Sequence, residues 1–378
     1  TQELLAARRI DHGDQYFSSA YDFGFSKTAT ETFEFWNKQQ VLAEAVFIIR
    51  QLQPDVIITR FPPDARGGHG HHQASAILAH EAFDAAADPK QFPEQLDRVK
   101  PWRAKRLLWN TATFAQMQGT NKQYPLEIGA YNPLLGQSYG EVAALSRSQH
   151  KSQGFGAAAT VGQSTENFEF VAGEKPTTGI FDAIDFSWNR IPGSQAIQQA
   201  IAQALQAYSI DAPEKSIPAL INIKNLIAKI DNAYWKDVKT KEVDQLIIDC
   251  AGLKMESVTP QMRYALNDKI PTSTNLILRA KEVQVLIQSV NGQPLGMELP
   301  YNESRQVQGS YVAKDNTQPY WLRKGHSLGK FEVAAEDIGF PENKNTPHTA
   351  VNLQINGTAI AIQIPIQYRY VDPVKGEL

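Results

Sequence analysis

The chain has 378 residues, of which 42% are hydrophobic and 20% charged, and its formal net charge is -3. This length leaves room for two or three domains, each with a core of its own. The nearly balanced charge gives no electrostatic case for a nucleic-acid partner or a membrane surface, and no apolar run in the sequence is long enough to span a membrane.

Residues 1–9 predict an α-helix that has already begun before the first printed residue. Residues 1–9 (TQELLAARR) contain no methionine, so we expect the printed chain to begin inside a domain, with part of that domain upstream. Residues 368–378 stop directly after a strand-like segment, which is consistent with a fragment of a longer protein. The compartment is undecided between cytoplasm and periplasm, because a single cysteine occurs in either, and export is one hypothesis.

A helix is predicted after the aromatic, glycine-containing loop Tyr21–Ser26. Thr28 and Glu31 have the spacing of a capping box, and Pro54 forbids continuation of the helix. Four apolar residues lie close to one face of this helix, namely Trp36, Leu42, Val46 and Ile49. The segment therefore predicts one amphipathic helix that starts at Thr28.

The next elements alternate between strand and helix. The β-branched apolar run Asp55–Thr59 predicts a buried strand, and the pattern of Gln73–Ala86 predicts a helix. Arg106–Asn110 predicts another strand. A second capping box at Ser138–Glu141 predicts a helix to Gln153. The order of helix, strand and helix is typical of a parallel α/β sheet.

Three of the eight histidines fall in residues 66–75 (RGGHGHHQAS), which we call the histidine-rich segment. Imidazole is a common zinc ligand and can transfer protons near neutral pH. The segment lies between the carboxyl end of a predicted strand and a predicted helix, where open α/β sheets bind their ligands. His69 and His72, three residues apart, are better placed to share one site than the adjacent His71 and His72.

A second interpretation of this segment stays open. A surface loop rich in glycine and histidine, without any ligand, would have the same pattern. Moreover, two histidines do not complete a catalytic zinc site, which normally has three protein ligands and a water.

From about residue 190 to residue 252 the pattern predicts packed helices. Three apolar stripes carry this prediction: Ile197, Ile201 and Leu205; Leu220, Ile223, Ile227 and Ile230; Val243, Leu246, Ile247 and Cys250. Cys250, the single cysteine, has apolar neighbours and is expected to be a buried structural thiol.

Beyond Ser257 the apolar period changes to two, which is typical of strands. Four segments show it, at 276–278, 283–287, 351–355 and 360–364, and the pairs Asn291-Gly292 and Asn356-Gly357 are turn signals. This spacing favours an antiparallel β-sandwich. The predicted organisation is an α/β domain at 1–175, a helical segment at 176–257 and a sandwich at 258–378.

The surroundings of the histidines resemble a known family. A strand, then RFPPDARGGHGHH at 60–72, then a helix is similar to the second metal motif of the PIG-L/LmbE-like de-N-acetylases, in which a His-x-x-His pair follows a strand of a Rossmann-like sheet. Residues 143–153 resemble that family's later helix, with its His and Ser-Gln ending, and Tyr21–Gly24 falls where members carry an Asp-Gly-type loop. The resemblance covers residues 1–160 and implies a Rossmann-like parallel sheet.

The family's activity is zinc-dependent hydrolysis of an acetamide on an amino sugar. By position, the resemblance implies that His72 is a Zn²⁺ ligand and that His69 hydrogen-bonds the tetrahedral intermediate or protonates the leaving amine. His71 falls at a variable position and is expected to be structural or solvent-facing. Four residues are candidates for contacts with the site or the substrate: Asp22, Arg66, His71 and His150. A turn role for Asp22 and ordinary packing for His150 are the alternatives.

One departure from the family is a missing motif. Its other two zinc ligands and its general base come from a His-Pro-Asp-Asp-Glu-type motif after the first strand, and nothing of that kind occurs here. Residues 11–14 (DHGD) lack the spacing and follow a predicted helix. We expect the first strand and this motif to lie upstream, so that the printed chain holds at most half a zinc site and is inactive alone.

The leading hypothesis is a hydrolase that removes acetyl from an N-acetylated amino sugar or glycoconjugate. The competing hypothesis is a catalytically inactive carbohydrate-binding or scaffold protein whose sandwich binds glycans, with residues 320–322 (YWL) as a stacking platform. A third hypothesis keeps the zinc chemistry but changes the substrate, for example to a mycothiol-type or peptide-like acylated amine.

Overall fold

The computed structural model describes residues 1–111, 119 and 121–378. These residues form two compact units, each built from two separate stretches of the chain. The first unit contains Thr1–Ile184 and Gln318–Lys344, and the second contains Asp185–Thr317 and Asn345–Leu378.

Helices and strands are mixed in both units. The described α-helices are α1 Gln2–Asp11, α2 Ala29–Phe35, α3 Lys38–Leu52, α4 Gly70–Ala85, α5 Tyr139–Arg147, α6 Gln195–Ala207, α7 Ile217–Ile227 and α8 Ala233–Cys250. The described strands are β1 Val56–Thr59, β2 Arg106–Thr111, β3 Gln123–Glu127, β4 Tyr131–Asn132, β5 Gln137–Ser138, β6 Thr165–Gly173, β7 Leu253–Thr259, β8 Lys269–Leu278, β9 Val285–Val290, β10 Gln293–Glu298, β11 Arg305–Val312, β12 His326–Ser327, β13 Lys330–Phe331, β14 His348–Ile355, β15 Thr358–Tyr368, β16 Val371–Asp372 and β17 Gly376–Glu377. None of the helices in the described part of the chain combines the length and apolar character that crossing a membrane requires.

A four-stranded sheet in the order β1-β2-β6-β3 positions the histidine-rich segment. β1 and β2 are parallel, with Val56 opposite Arg106, whereas β6 is antiparallel to both β2 and β3. The predicted strands before and after the histidines are confirmed, and the fold is α/β. The finer prediction of a Rossmann-like parallel sheet is not confirmed, because the described strands form a mixed sheet.

The single helix predicted from Thr28 is observed as two, α2 and α3. Trp36 has an extended backbone (φ −83°, ψ 124°), and its indole N–H donates to the Tyr21 carbonyl oxygen at 3.0 Å. Asn37 then caps α3 by accepting the Gln40 N–H at 3.1 Å. The apolar periodicity continues across this break, so spacing alone does not reveal it.

Both predicted N-caps are confirmed. The Thr28 hydroxyl accepts the Glu31 N–H at 3.2 Å. Ser138 forms a full capping box, because its hydroxyl accepts the Glu141 N–H at 3.2 Å and its own N–H donates to the Glu141 carboxylate at 2.8 Å. α5 ends at Arg147, earlier than predicted, since the chain tightens into a separate 3₁₀ turn beyond it.

α3 and α4 pack against each other through small and apolar side chains. The buried residues at this contact include Val46, Ala74, Leu78 and Ala82. Arg50 of α3 is 1% exposed, and its guanidinium donates to carbonyl oxygens at and beyond the end of α4, including those of Ala85 (3.2 Å), Ala86 (3.1 Å) and Asp88 (2.9 Å). It therefore satisfies the acceptors that every helix leaves unpaired at its C-terminus.

The second unit contains a seven-stranded sheet in the order β10-β9-β14-β15-β7-β8-β11. β15 and β7 are parallel, and the other pairs are antiparallel. The four predicted strands fall within or across β8, β9, β14 and β15. Both predicted turns are observed with positive φ, at 49° and 76° for Asn291-Gly292 and 46° and 80° for Asn356-Gly357. The predicted sandwich of two sheets is not confirmed, because these strands join in one hydrogen-bonded sheet.

Helices α6, α7 and α8 share one hydrophobic core with this sheet. Fully buried residues from both kinds of element meet in it, among them Ile217, Ile247, Leu276 and Leu353. Cys250 is half-buried rather than buried, and burial raises the pKa of its thiol.

Candidate functional site

The histidine-rich segment connects the carboxyl end of β1 to the N-terminus of α4. A 3₁₀ turn at Ala65–Gly67 comes first, and Gly68 then adopts the left-handed backbone (φ 71°) that glycine accommodates best. His69 is the N-cap of α4, which begins at Gly70. The helix was predicted to begin at Gln73, three residues later.

His69 caps α4 through its ring. Its Nδ1 accepts the His71 N–H at 3.1 Å. Histidine is not among the preferred N-cap residues, which explains why sequence spacing placed the helix start too late. As a consequence, His71 and His72 lie in the first turn of the helix, with their backbones fixed.

Gly70 allows the N-terminus of α4 to approach the loop before α2. Its N–H donates to the Ser26 carbonyl oxygen at 2.8 Å. A Cβ atom at this position would lie 2.3 Å from the Thr28 carbonyl oxygen and 2.4 Å from Ser26 Oγ. Any side chain here would therefore push the helix away from this loop.

His72 is held so that one ring nitrogen is available to a ligand. Its Nδ1 lies 3.0 Å from the Gly67 carbonyl oxygen. Because a carbonyl oxygen only accepts, Nδ1 carries the hydrogen, and Nε2 carries the lone pair that a metal requires. The ring also stacks on Phe61, with centroids 3.6 Å apart and planes 2° from parallel, which fixes its plane.

His69 carries its hydrogen on the opposite ring nitrogen. Nδ1 accepts the His71 N–H, so the neutral ring has its hydrogen on Nε2. Burial, and secondarily the nearby His72, lower the pKa of His69, while Asp22 opposes this effect. The two rings lie 5.2 Å apart between centroids. The arrangement thus places a hydrogen-bond donor, His69, next to a lone-pair donor, His72.

His71 is not solvent-facing, since its side chain is only 12% exposed. The ring lies between Phe23 (4.4 Å between centroids) and Trp36 (4.7 Å). Its Nδ1 lies 3.0 Å from Ser26 Oγ and 3.1 Å from His69 Nδ1. Burial, followed by the charge of His69, lowers the pKa of His71, while Asp22 opposes this effect.

Asp22 is brought next to the histidines although it is distant in sequence. Its Oδ1 lies 3.7 Å from His71 Nε2, a buried atom for which the described residues provide no hydrogen-bond partner. Asp22 Oδ1 also accepts the Gly24 N–H at 2.8 Å. The residue therefore has the turn role considered as its alternative and also faces the site.

Arg66 and His150 are placed differently. Arg66 forms a bidentate ion pair with Asp64, at 2.9 and 2.7 Å, and its guanidinium lies 5.0 Å from the centre of the Trp109 ring. The Asp64 carboxylate raises the pKa of Arg66. Across the ranges that the structure describes, no contact joins His150 to the histidine-rich segment. His150 lies near Glu3 instead. Hydrogen bonds from Ser152 are the main cause of the lowered pKa of Glu3, and the charge of His150 lowers it further.

Sequence reasoning missed three groups that shape this site. They are Ser26 beside His71, Phe61 under His72, and the carbonyl of Gly67 that sets the His72 tautomer. None of them has a residue type or a spacing that signals such a role. Phe61 and Gly67 could have been suspected only because both lie in the stretch between β1 and α4.

The described residues fit part of a zinc site. His72 meets the requirements of one ligand, with a free Nε2 and a carbonyl partner on Nδ1. However, within residues 1–111, 119 and 121–378, no group of three or more His, Cys, Asp or Glu side chains could hold a metal ion. A complete site would need further ligands from outside this set.

Comparison with known proteins gives one partial sequence match. A stretch of 79 residues is 35% identical to 1D-myo-inositol 2-acetamido-2-deoxy-alpha-D-glucopyranoside deacetylase from Geodermatophilus obscurus, and the match covers 20% of this chain. The chain spans about a quarter (25%) of the length of that curated relative. No family model matches the sequence.

A structural comparison gives a weak likeness. The chain is similar to Pseudomonas fluorescens alkylpurine DNA glycosylase AlkC bound to DNA containing an abasic site analog, at 9% sequence identity and a TM-score of 0.17, over 43% of this chain and 48% of that one. A score this low shows no common fold. The sequence match therefore supports a link to a deacetylase over a limited stretch, and the structural one adds nothing to it.

Proposed function

We propose that this protein is a zinc-dependent hydrolase that removes an acetyl group from an N-acetylated amino sugar or glycoconjugate. The observation that carries the proposal is the pairing of His69 and His72, whose rings are adjacent and carry their hydrogens on opposite nitrogens. The partial match to a deacetylase whose name specifies an acetamido sugar linked to inositol supports the same class of substrate.

In this proposal His72 holds the metal together with ligands from outside the described residues. Bound zinc would polarise the acetamide carbonyl and supply a water of lowered pKa. The contribution of this chain is orientation. The Gly67 carbonyl and the Phe61 ring hold the imidazole of His72 in one plane and one tautomer before any ligand arrives, which reduces the ordering cost of binding.

His69 serves the reacting amide. Water adds to the carbonyl carbon, the carbon–nitrogen bond breaks, and the products are acetate and a free amine. As negative charge develops on the carbonyl oxygen, the Nε2–H of His69 can donate a hydrogen bond to it. The departing nitrogen must also gain a proton to leave, and the attacking water supplies it, because a neutral imidazole cannot release its remaining hydrogen near neutral pH.

His71 positions His69 in this scheme. Its backbone N–H fixes the His69 tautomer, and its ring lies against the His69 ring at 3.1 Å between Nδ1 atoms. Ser26 Oγ lies 3.0 Å from the same Nδ1 atom of His71, and Asp22 Oδ1 lies 3.7 Å from Nε2 on the opposite edge of the ring. We therefore treat His71 as a positioning residue rather than a catalytic one.

The alternative hypothesis, a protein that only binds glycans, needs a different location for its stacking residue. It assigned glycan stacking to Trp321 in the C-terminal sheet, but Trp321 belongs to the first unit, together with the histidines. A purely glycan-binding protein would bind N-acetylated sugars without releasing acetate, and this separates it from the proposal.

The experiment is an acetate-release assay on the protein as its source encodes it, with N-acetylglucosaminyl inositol and N,N′-diacetylchitobiose as substrates. His69→Gln should retain metal and lose roughly 100- to 1,000-fold in kcat, the usual cost of one oxyanion donor. His72→Ala should lose both metal and activity. His12→Asn changes an exposed histidine outside the site and should behave as wild type. Absence of acetate release from every N-acetylated substrate, with metal bound, would refute the proposal.

A further inference from the structure

The first unit contains a cleft of about 360 Å³ that the proposed chemistry does not use. Two walls line it. One is formed by Thr1, Leu4 and the segment that leads from α1 towards α2, and the other by the stretch from residue 320 to residue 339. The lining includes Phe17, Tyr21, Asp22, Trp321, Phe331 and Val333. A cleft of this size is within the range of small-ligand sites.

Backbone pairing holds the two walls together. The Tyr21 N–H donates to the Gly329 carbonyl oxygen, the Phe331 N–H to that of Ser19, and the Phe17 N–H to that of Gly339, each at 2.9 Å. The Tyr21 ring also packs on Phe331, with centroids 4.6 Å apart. These contacts make the cleft a preformed feature of the first unit.

Trp321 forms a supported aromatic surface in this cleft. Its ring meets that of Tyr320 edge-on, with centroids 4.9 Å apart. Tyr320 is anchored, because its hydroxyl donates to the Phe340 carbonyl oxygen at 2.6 Å and its N–H to Asn343 Oδ1 at 2.8 Å. Trp321 itself is half-exposed, and no acceptor for its indole N–H is found in the described part of the chain.

Asp22 connects the cleft to the histidines. It lines the cleft and is 79% exposed, while its Oδ1 lies 3.7 Å from His71 Nε2. The ring of His71 in turn contacts His69. A molecule that occupies the cleft and hydrogen-bonds to Asp22 would therefore be connected to His69 through the His71 ring.

We propose that this cleft binds an uncharged pyranose residue of the substrate, adjacent to the residue that loses its acetyl group. Aromatic faces pack against the C–H faces of sugar rings, and a carboxylate and an indole N–H match sugar hydroxyls as acceptor and donor. The Asp22 carboxylate disfavours an anionic group such as a phosphate in the same place. This assignment rests on the proposed function, because it names part of the substrate of that site.

The test is a calorimetric titration of the full chain with N,N′-diacetylchitobiose in the presence of a chelator, so that neither metal nor hydrolysis contributes. We expect saturable binding that Trp321→Ala weakens at least about fivefold, as for loss of an aromatic contact. Asp22→Asn, a surface change that leaves the fold intact, should also weaken it. Leu322→Ala truncates the next residue, which does not line the cleft, and should leave binding unchanged.

The outcomes separate this proposal from the proposed function. No binding of the disaccharide by the wild-type chain, or binding that neither Trp321→Ala nor Asp22→Asn weakens, would overturn the cleft as a sugar site, even if acetate release is observed. Binding that depends on both residues would support the cleft, even if no metal or acetate release is found in the encoded protein.

Discussion

His69 and His72 differ in what their ring nitrogens can do, although both are histidines in the same segment. His69 is bonded to a backbone N–H and His72 to a backbone carbonyl oxygen. These two partners leave His69 with a hydrogen to donate from Nε2, and leave His72 with a lone pair on Nε2. The proposed roles of an oxyanion donor and a metal ligand require this difference, and the backbone partners of the two rings account for it.

A nearby histidine gives a prediction for stability against pH. His80 lies in α4, its Nε2 is buried without a partner among the described residues, and burial lowers its pKa below 6.5. The unfolded chain therefore binds the proton more readily than the folded one. Stability from this group is complete above pH 6.5 and is lost as the pH falls through 6.5 toward the folded pKa.

We expect the free energy of unfolding in urea to be lower at about pH 5 than at about pH 7.5, and the difference to shrink in His80→Gln, which cannot titrate. Each unit of pKa shift contributes about 1.4 kcal/mol to that difference. Equal pH dependence in the two proteins would show that His80 titrates normally in the folded state.

At the scale of elements, the start of α4 depends on Gly70. Gly70→Ala should destabilise the first unit by about 1–3 kcal/mol, the usual cost of overpacking, because its Cβ would overlap Ser26 and Thr28. The shift should also disturb the histidines in the first turn. Thermal unfolding measures the first effect and metal affinity the second.

A matched control is available in α5. Gly140 lies in the first turn of that helix, and the nearest atom to an added Cβ would be 3.8 Å away. Gly140→Ala should be neutral or stabilise by up to about 1 kcal/mol, through helix propensity. Similar losses in both variants would mean that the close approach at Gly70 does not limit stability.

The end of α4 depends on Arg50. Arg50→Met keeps the apolar stem but leaves several buried carbonyl oxygens without a donor, so we expect a loss of about 3 kcal/mol or more in urea unfolding. Arg50→Lys, which keeps the charge but cannot reach all of these acceptors, should lie between Met and wild type. A Met variant as stable as wild type would show that water replaces the guanidinium.

Local signals explain which elements could be predicted from the sequence. The strands before and after the histidines, the caps at Thr28 and Ser138 and the two Asn-Gly turns depend on residues a few positions apart, and each is observed. The start of α4 and the break at Trp36 were missed because each depends on a single side-chain contact. The partners of His71 were missed for a related reason, since Asp22 reaches it only through the fold.

At the scale of the whole molecule, neither unit is one continuous stretch of the chain. Residues 318–344 lie in the C-terminal part of the sequence but belong to the first unit. No periodicity or spacing in the sequence predicts that residues 318–344 return to the first unit. The hydrogen bonds that hold them there join residues about three hundred positions apart, as between Phe17 and Gly339. For the same reason Trp321 was predicted to lie in a C-terminal sandwich.

The central claim is that His72 is a zinc ligand, and the measurement that tests it most directly is zinc content by elemental analysis. It should be made on the protein as its source encodes it, as wild type, His72→Ala and His12→Asn. We predict near-stoichiometric zinc in the wild type, its loss in His72→Ala and its retention in His12→Asn. A wild type without zinc, or zinc that persists in His72→Ala, would contradict the claim.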